Sequence, residues 1–174
     1  MRIYNAKVLI RNRFVSGGVS FDERFRLCGA DVTDGEMDAG GAYLIPGLID
    51  IHTHGAMGED ASDGRAEAFP VMSEYYARGG VTSWCPTTMT LKEPELTRAM
   101  KAIRSFKRPE GGAKIAGVNL EGPFLCYEKR GAQAPENLSL PDAAMFGRLN
   151  EACGGMVRLI TIAPEQPGGD GLHP

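Results

Sequence analysis

The chain has 174 residues, 43% hydrophobic and 24% charged, with a net charge of −3. That length supports a domain with a real core, and scattered Lys and Arg without a basic stripe or interleaved aromatics exclude a nucleic-acid partner. No apolar run is long enough for a membrane span and no signal peptide opens the chain, so neither a membrane partner nor export is expected and the compartment read from the sequence is cytoplasmic.

Met1 to Asp38 reads as short β segments: Ile3 with Val8-Leu9-Ile10, a polar turn at Arg11-Asn12-Arg13, then Phe14-Val15 and a second turn at Ser16-Gly17-Gly18. Val19, Phe21, Phe25 and Leu27 continue the pattern. A β unit over 1–42 is too small to bury a core alone and must pack on something else. From Tyr43 the pattern changes to alternating strand and helix over 43–174. The expected elements are a strand to about His54, a helix over Arg65–Arg78 stopped by Gly79-Gly80, and a strand over Val81–Thr87. A helix over Leu91–Phe106 with Thr90 as N-cap and a strand over Lys114–Glu121 come next. Pro141–Ala152 reads as a helix with proline in its first turn, and Met156–Ala163 as a fourth strand. Gln166–Pro174 reads as loop, with His173 a bystander. The fold class is α/β. Alternation of this kind implies a parallel sheet, and about four strands with three helices make close to half of a (β/α)8 barrel.

Two of the three histidines lie in Leu44-Ile45-Pro46-Gly47-Leu48-Ile49-Asp50-Ile51-His52-Thr53-His54-Gly55. Side chains alternate along a strand, so Asp50, His52 and His54 share a face, and two imidazoles at i and i+2 can reach one ion or a close pair. Asp50 is open to two readings, orienting a ligand or simply accepting at the strand end. Glu121 ends the apolar strand Ile115–Leu120 and precedes Gly122-Pro123, so in a barrel it opens on the same rim as His52 and His54, and the three read as metal ligands. Lys129 and Arg130 read as a solvated turn, and Gln133, with donor and acceptor atoms, suits a sugar hydroxyl. Thr87-Thr88 either lines the site or caps the following loop. The four cysteines are widely spaced with no C-x-x-C pair, so they are expected to be reduced and mostly buried.

Pro46-Gly47-Leu48-Ile49-Asp50-Ile51-His52-Thr53-His54-Gly55 resembles the first barrel strand of the amidohydrolase superfamily. Within it, Leu120-Glu121-Gly122-Pro123-Phe124-Leu125 with Lys129-Arg130-Gly131-Ala132 resembles the N-acetylglucosamine-6-phosphate deacetylases, as do Gly80-Val81-Thr82-Ser83, Pro86-Thr87 and Ile162-Ala163-Pro164-Glu165. The resemblance implies a divalent-metal hydrolase, with one or two ions and zinc the expected metal. Its substrate would be an amino-sugar phosphate, cleaved at the acetamide to glucosamine 6-phosphate and acetate in amino-sugar catabolism. It carries the ligand role onto Glu121 and onto His52 and His54, and the substrate contact onto Ala132 and Gln133, where the family usually has histidine in place of Gln133. It also implies that residues 1–42 are part of a composite β side domain and that a full-length form is a homo-oligomer.

Family members run to roughly twice this length, as eight barrel units require. The chain is therefore expected to be an N-terminal portion, inactive alone, with the later histidine ligands, the catalytic aspartate and the phosphate-binding residues beyond Pro174. Ile49, Ile51, Val118 and Leu120 are candidates for exposed apolar surface. Two other readings stand beside this one. A cyclic-amidase or deaminase relative would share the histidine pair, although the Leu-Glu-Gly-Pro block argues against it. A non-catalytic half-barrel would pair with another chain.

Overall fold

The computed structural model describes residues 1–22 and 25–172, so His173 lies outside the described residues. The chain forms two compact units, Met1–Gly47 and Leu48–Pro174. In the first, β1 (Arg2–Ile10) and β2 (Arg13–Phe21) make an antiparallel hairpin, and β3 (Phe25–Gly29) extends it on the β2 side. Arg11 and Asn12 both take positive φ, 46° and 65°, which gives the two-residue turn the twist that flanking strands need. β4 (Met37–Asp38) and β5 (Tyr43–Leu44) pair in parallel with the other edge of β1. Ala6, Val8 and Val19 form the small core.

Two expectations change here. Ser16-Gly17-Gly18 is not a turn but the middle of β2, because a Cβ on Gly18 would stand 2.1 Å from the Ile3 carbonyl oxygen. The glycine marks a close backbone approach inside a strand. The break between units falls after Gly47 and not at residue 42, since Tyr43 and Leu44 register with Lys7 and Val8 of β1.

The second unit begins with β6 (Leu48–Thr53), followed by a small hairpin of β7 (Gly55–Ala56) and β8 (Glu59–Asp60). Then come α1 (Ala68–Arg78), β9 (Val81–Thr88), α2 (Glu93–Arg104), β10 (Lys114–Ile115), β11 (Val118–Glu121), α3 (Ala143–Ala152) and β12 (Val157–Thr161). Apart from that antiparallel hairpin the pairings are parallel: β6 with β9, β9 with β10 and β11, and β11 with β12. The expected single third strand is therefore two short segments along β9. At the break, Ala116 N–H still donates to the Trp84 carbonyl. One core joins the sheet to the helices through Phe69, Met72, Trp84, Leu96, Leu120 and Leu149.

Strand alternation sorts the residues. Of the four candidates for exposed apolar surface, whose exposure depends on the face each takes, Val118 and Leu120 point into that core and are fully buried, which leaves Asn119 and Glu121 for the opposite face. Ile49 and Ile51 are exposed, at 66% and 56%. The helix starts also differ. Lys92, not Thr90, caps α2, and its N–H donates to Glu95 three residues on. Pro141 lies outside α3; Asp142 is the N-cap, its Oδ1 accepting from Ala144 N at 2.8 Å and Met145 N at 3.0 Å. Asp142→Ala is expected to lower stability by about 1 kcal/mol, read as a lower denaturant midpoint at unchanged m-value. The tail expected as loop contains a short 3-10 turn, Gly169–Leu172. Among the described residues no helix is long and apolar enough to cross a membrane.

Candidate metal centre

β6 leaves its ladder where the site begins. Its register with β9 shifts between Asp50 and Thr53, which frees backbone groups at residues 51 to 53. Side chains take them up. Asn119 Nδ2 donates to the Ile51 carbonyl at 3.0 Å, Asp50 Oδ1 accepts from His52 N at 3.0 Å, and Thr87 Oγ1 accepts from Thr53 N at 3.0 Å. Of the two readings of Asp50, the contact observed is that of a strand-end acceptor. Thr53 Oγ1 meets Tyr76 Oη at 2.6 Å, and that phenol donates onward to the Gly55 carbonyl at 3.0 Å. With its single hydrogen spent on Gly55, Tyr76 must accept from Thr53. The α1 helix thereby pins the strand on both sides of His54.

Thr87, read from the sequence as either lining the site or capping a loop, orients His54. The His54 Nδ1 lies 3.0 Å from the Thr87 carbonyl oxygen. A carbonyl can only accept, so Nδ1 carries the hydrogen and the neutral ring turns an Nε2 lone pair outward. The Nε2 atoms of His52 and His54 are 3.4 Å apart, and Glu121 Oε2 stands 2.9 Å from the first and 3.4 Å from the second. Burial pushes the Tyr76 phenol up, and it pushes the Cys85 thiol up as well, with the Asp50 charge acting in the same direction on both. Both therefore stay neutral beside the site at physiological pH.

Glu121 closes β11 and its side chain is 18% exposed. Its two oxygens have different surroundings. Oε1 accepts from Gln133 Nε2 at 2.7 Å, whereas Oε2 is buried without a hydrogen-bond partner. Gly122 follows at φ 70°, and a Cβ there would stand 2.1 Å from Thr90 Oγ1, so only glycine lets the chain turn away so close to Thr90. Gln133 is buried, its Oε1 accepting from Thr90 N at 2.8 Å, whereas Ala132 beside it is exposed. Arg130 stacks on Tyr127, 4.1 Å from the ring centre, and Nη1 donates to the Tyr127 carbonyl at 2.6 Å.

The three donor atoms fit a cation. A four-coordinate zinc with bonds of about 2.0–2.1 Å sets its ligands about 3.3 Å apart, close to the three separations here. A buried carboxylate oxygen without a hydrogen bond is costly unless positive charge compensates it, and a cation held with the two imidazole nitrogens supplies that charge. His52, His54 and Glu121 form a group that can hold a metal ion, the set anticipated from the sequence. Asn119 was missed, although a polar residue two before Glu121 inside an apolar strand shares its face and was there to be read.

The amidohydrolase family model matches residues 43–172. The chain belongs to the amidohydrolase family. This amidohydrolase is 35% identical over 129 residues to the N-acetylglucosamine-6-phosphate deacetylase of Bacillus subtilis (strain 168), covering 72% of this chain and 33% of that protein. It is 34% identical over 171 residues to the Bos taurus N-acetylglucosamine-6-phosphate deacetylase, covering 94% of this chain and 42% of the other. Among solved structures, N-acetyl-D-glucosamine-6-phosphate deacetylase from Mycobacterium smegmatis superposes with a TM-score of 0.84 at 27% identity, over 97% of this chain and 45% of that one. The chain thus spans between a third and a half of the length of these relatives.

Proposed function

We propose that His52, His54 and Glu121 are ligands of a divalent metal, zinc by the two-imidazole, one-carboxylate donor set, in a deacetylase of N-acetylglucosamine 6-phosphate. In this reading β6, β9, β10 with β11, and β12 are consecutive strands of a (β/α)8 barrel. The observation that carries it is the convergence of the buried Glu121 Oε2 with two imidazole nitrogens, 2.9 and 3.4 Å away, on a chain whose relatives bear that activity by name.

The metal, when bound, supplies a Lewis acid for the acetamide oxygen and lowers the pKa of water. The chain's own residues do the rest of what falls to this portion. Thr87 fixes the His54 ring so that Nε2 faces the centre, Asn119 holds the strand that carries His52, and Glu121 offers one negative oxygen. Ala132, exposed next to the buried Gln133, is the loop position we assign to substrate contact. A phosphorylated sugar does not cross a bilayer unaided, so the proposal places the reaction in the cytoplasm.

The test is a chimaera that joins residues 1–172 to the remaining part of the Bacillus subtilis relative. It is expected to release acetate from N-acetylglucosamine 6-phosphate and to lose that activity on dialysis against a chelator, with zinc restoring it. A folded, metal-loaded chimaera that leaves this substrate intact would reject the assignment.

A further inference from the structure

Gln133 lies twelve residues beyond Glu121, on a loop that also contains the short turns Tyr127–Lys129 and Pro135–Asn137. Its side chain does not reach outward. It is 5% exposed, with its carbonyl oxygen on Thr90 N and its amide nitrogen on Glu121 Oε1, and Met89 Sδ lies 4.0 Å from that nitrogen. Thr90 is itself held, its carbonyl accepting from Asn137 Nδ2 at 3.0 Å. The anchor for the amide is therefore backbone, fixed from two sides.

That arrangement divides the carboxylate. A free glutamate rotates about its last bond and presents either oxygen, or both. With Oε1 tied to an amide whose other end is bound to the Thr90 backbone, rotation would break a hydrogen bond and leave a buried donor unsatisfied. Oε2 is then held toward the two imidazole nitrogens before any ion arrives.

From this we propose that Gln133 is a positioning residue for the metal, acting through Glu121 and not by touching sugar. The inference rests on the reading of His52, His54 and Glu121 as ligands. Hydrogen bonds that orient a ligating group are worth about 10- to 100-fold in metal affinity, and that is the size of effect expected.

Cobalt(II) titration of the 174-residue chain tests it, followed by visible absorption and by competition with a chromophoric chelator. Gln133→Met keeps the length of the side chain and removes both polar atoms. It is expected to bind cobalt about 10- to 100-fold more weakly, with altered ligand-field bands, while far-UV circular dichroism of the metal-free chain is unchanged. Gln133→His restores one donor and one acceptor on a neutral ring. It is expected to bind within about threefold of the parent, with the parent's band pattern, which shows that the ring has not joined as a ligand. A folded Gln133→Met chain with the parent's affinity would overturn the proposal. If the methionine variant does not fold, Gln133→Leu, which also removes both polar atoms, takes its place, and a folded leucine variant with the parent's affinity overturns the proposal equally. A parent chain that binds no cobalt would instead overturn the ligand assignment and this inference with it.

Discussion

Glu121→Gln is expected to strip the metal and the activity together. The substitution preserves shape, so the core around Val118, Leu120 and Phe124 has no reason to change. What it removes is the negative charge at the one buried oxygen that faces His52 and His54. Breaking a buried charge pairing costs about 3–5 kcal/mol, a loss of roughly two to four decades in affinity. In the chimaera, acetate release should fall by a similar factor, and zinc per chain, measured after dialysis against dilute chelator, should fall in parallel. Glu128→Gln, on the exposed turn after the strand, is the control and should change neither. Retention of one zinc per chain with full turnover would remove Glu121 from the ligand set.

The second large effect expected is in association. Leu48, Ile49 and Ile51 are exposed at 53%, 66% and 56%, and among the described residues β6 pairs with β9 alone. An apolar edge strand with unpaired backbone groups invites another chain. The 174-residue polypeptide is expected to sediment above its monomer mass of 18.7 kDa at micromolar concentration. Ile49→Lys with Ile51→Lys should weaken that association by about a hundredfold or more, since each buried isoleucine is worth about 1.5–3 kcal/mol. Both residues lie on the face of the strand opposite His52, so cobalt binding by the double variant should match the parent. A parent chain that sediments as a monomer throughout would show that this edge is not sticky.

The sequence made some of this legible because local pattern and local chemistry coincide. Two histidines at i and i+2 in an apolar run can hardly be anything but neighbours on a strand face, and a carboxylate at the end of Ile115–Leu120 follows the same alternation. Val81–Thr88 and the glycine stop after Arg78 were readable for the same reason. What failed were features set by a distant partner. Gly17-Gly18 spells a turn until the Ile3 carbonyl is seen beside it. Thr90 spells an N-cap until its backbone is seen holding Gln133. Val118 and Leu120 could take either face until α2 and α3 decide it, and the division of Glu121 between two environments depends on a residue from another loop.

The register of the larger sheet carries a timetable. Neighbours in space follow one another along the chain, β6 then β9 then β11 then β12, so every strand that leaves the ribosome finds its partner already made. At about 5–20 residues per second, β6 with both histidines is made first and β9 follows within seconds. Thr87 is in place to turn the second ring before Glu121 exists, and Gln133 arrives last to steady it. The groups of the centre are thus made in the order His52, Thr87, Glu121 and Gln133, and α3, made after them, completes the core that fixes the face of β11.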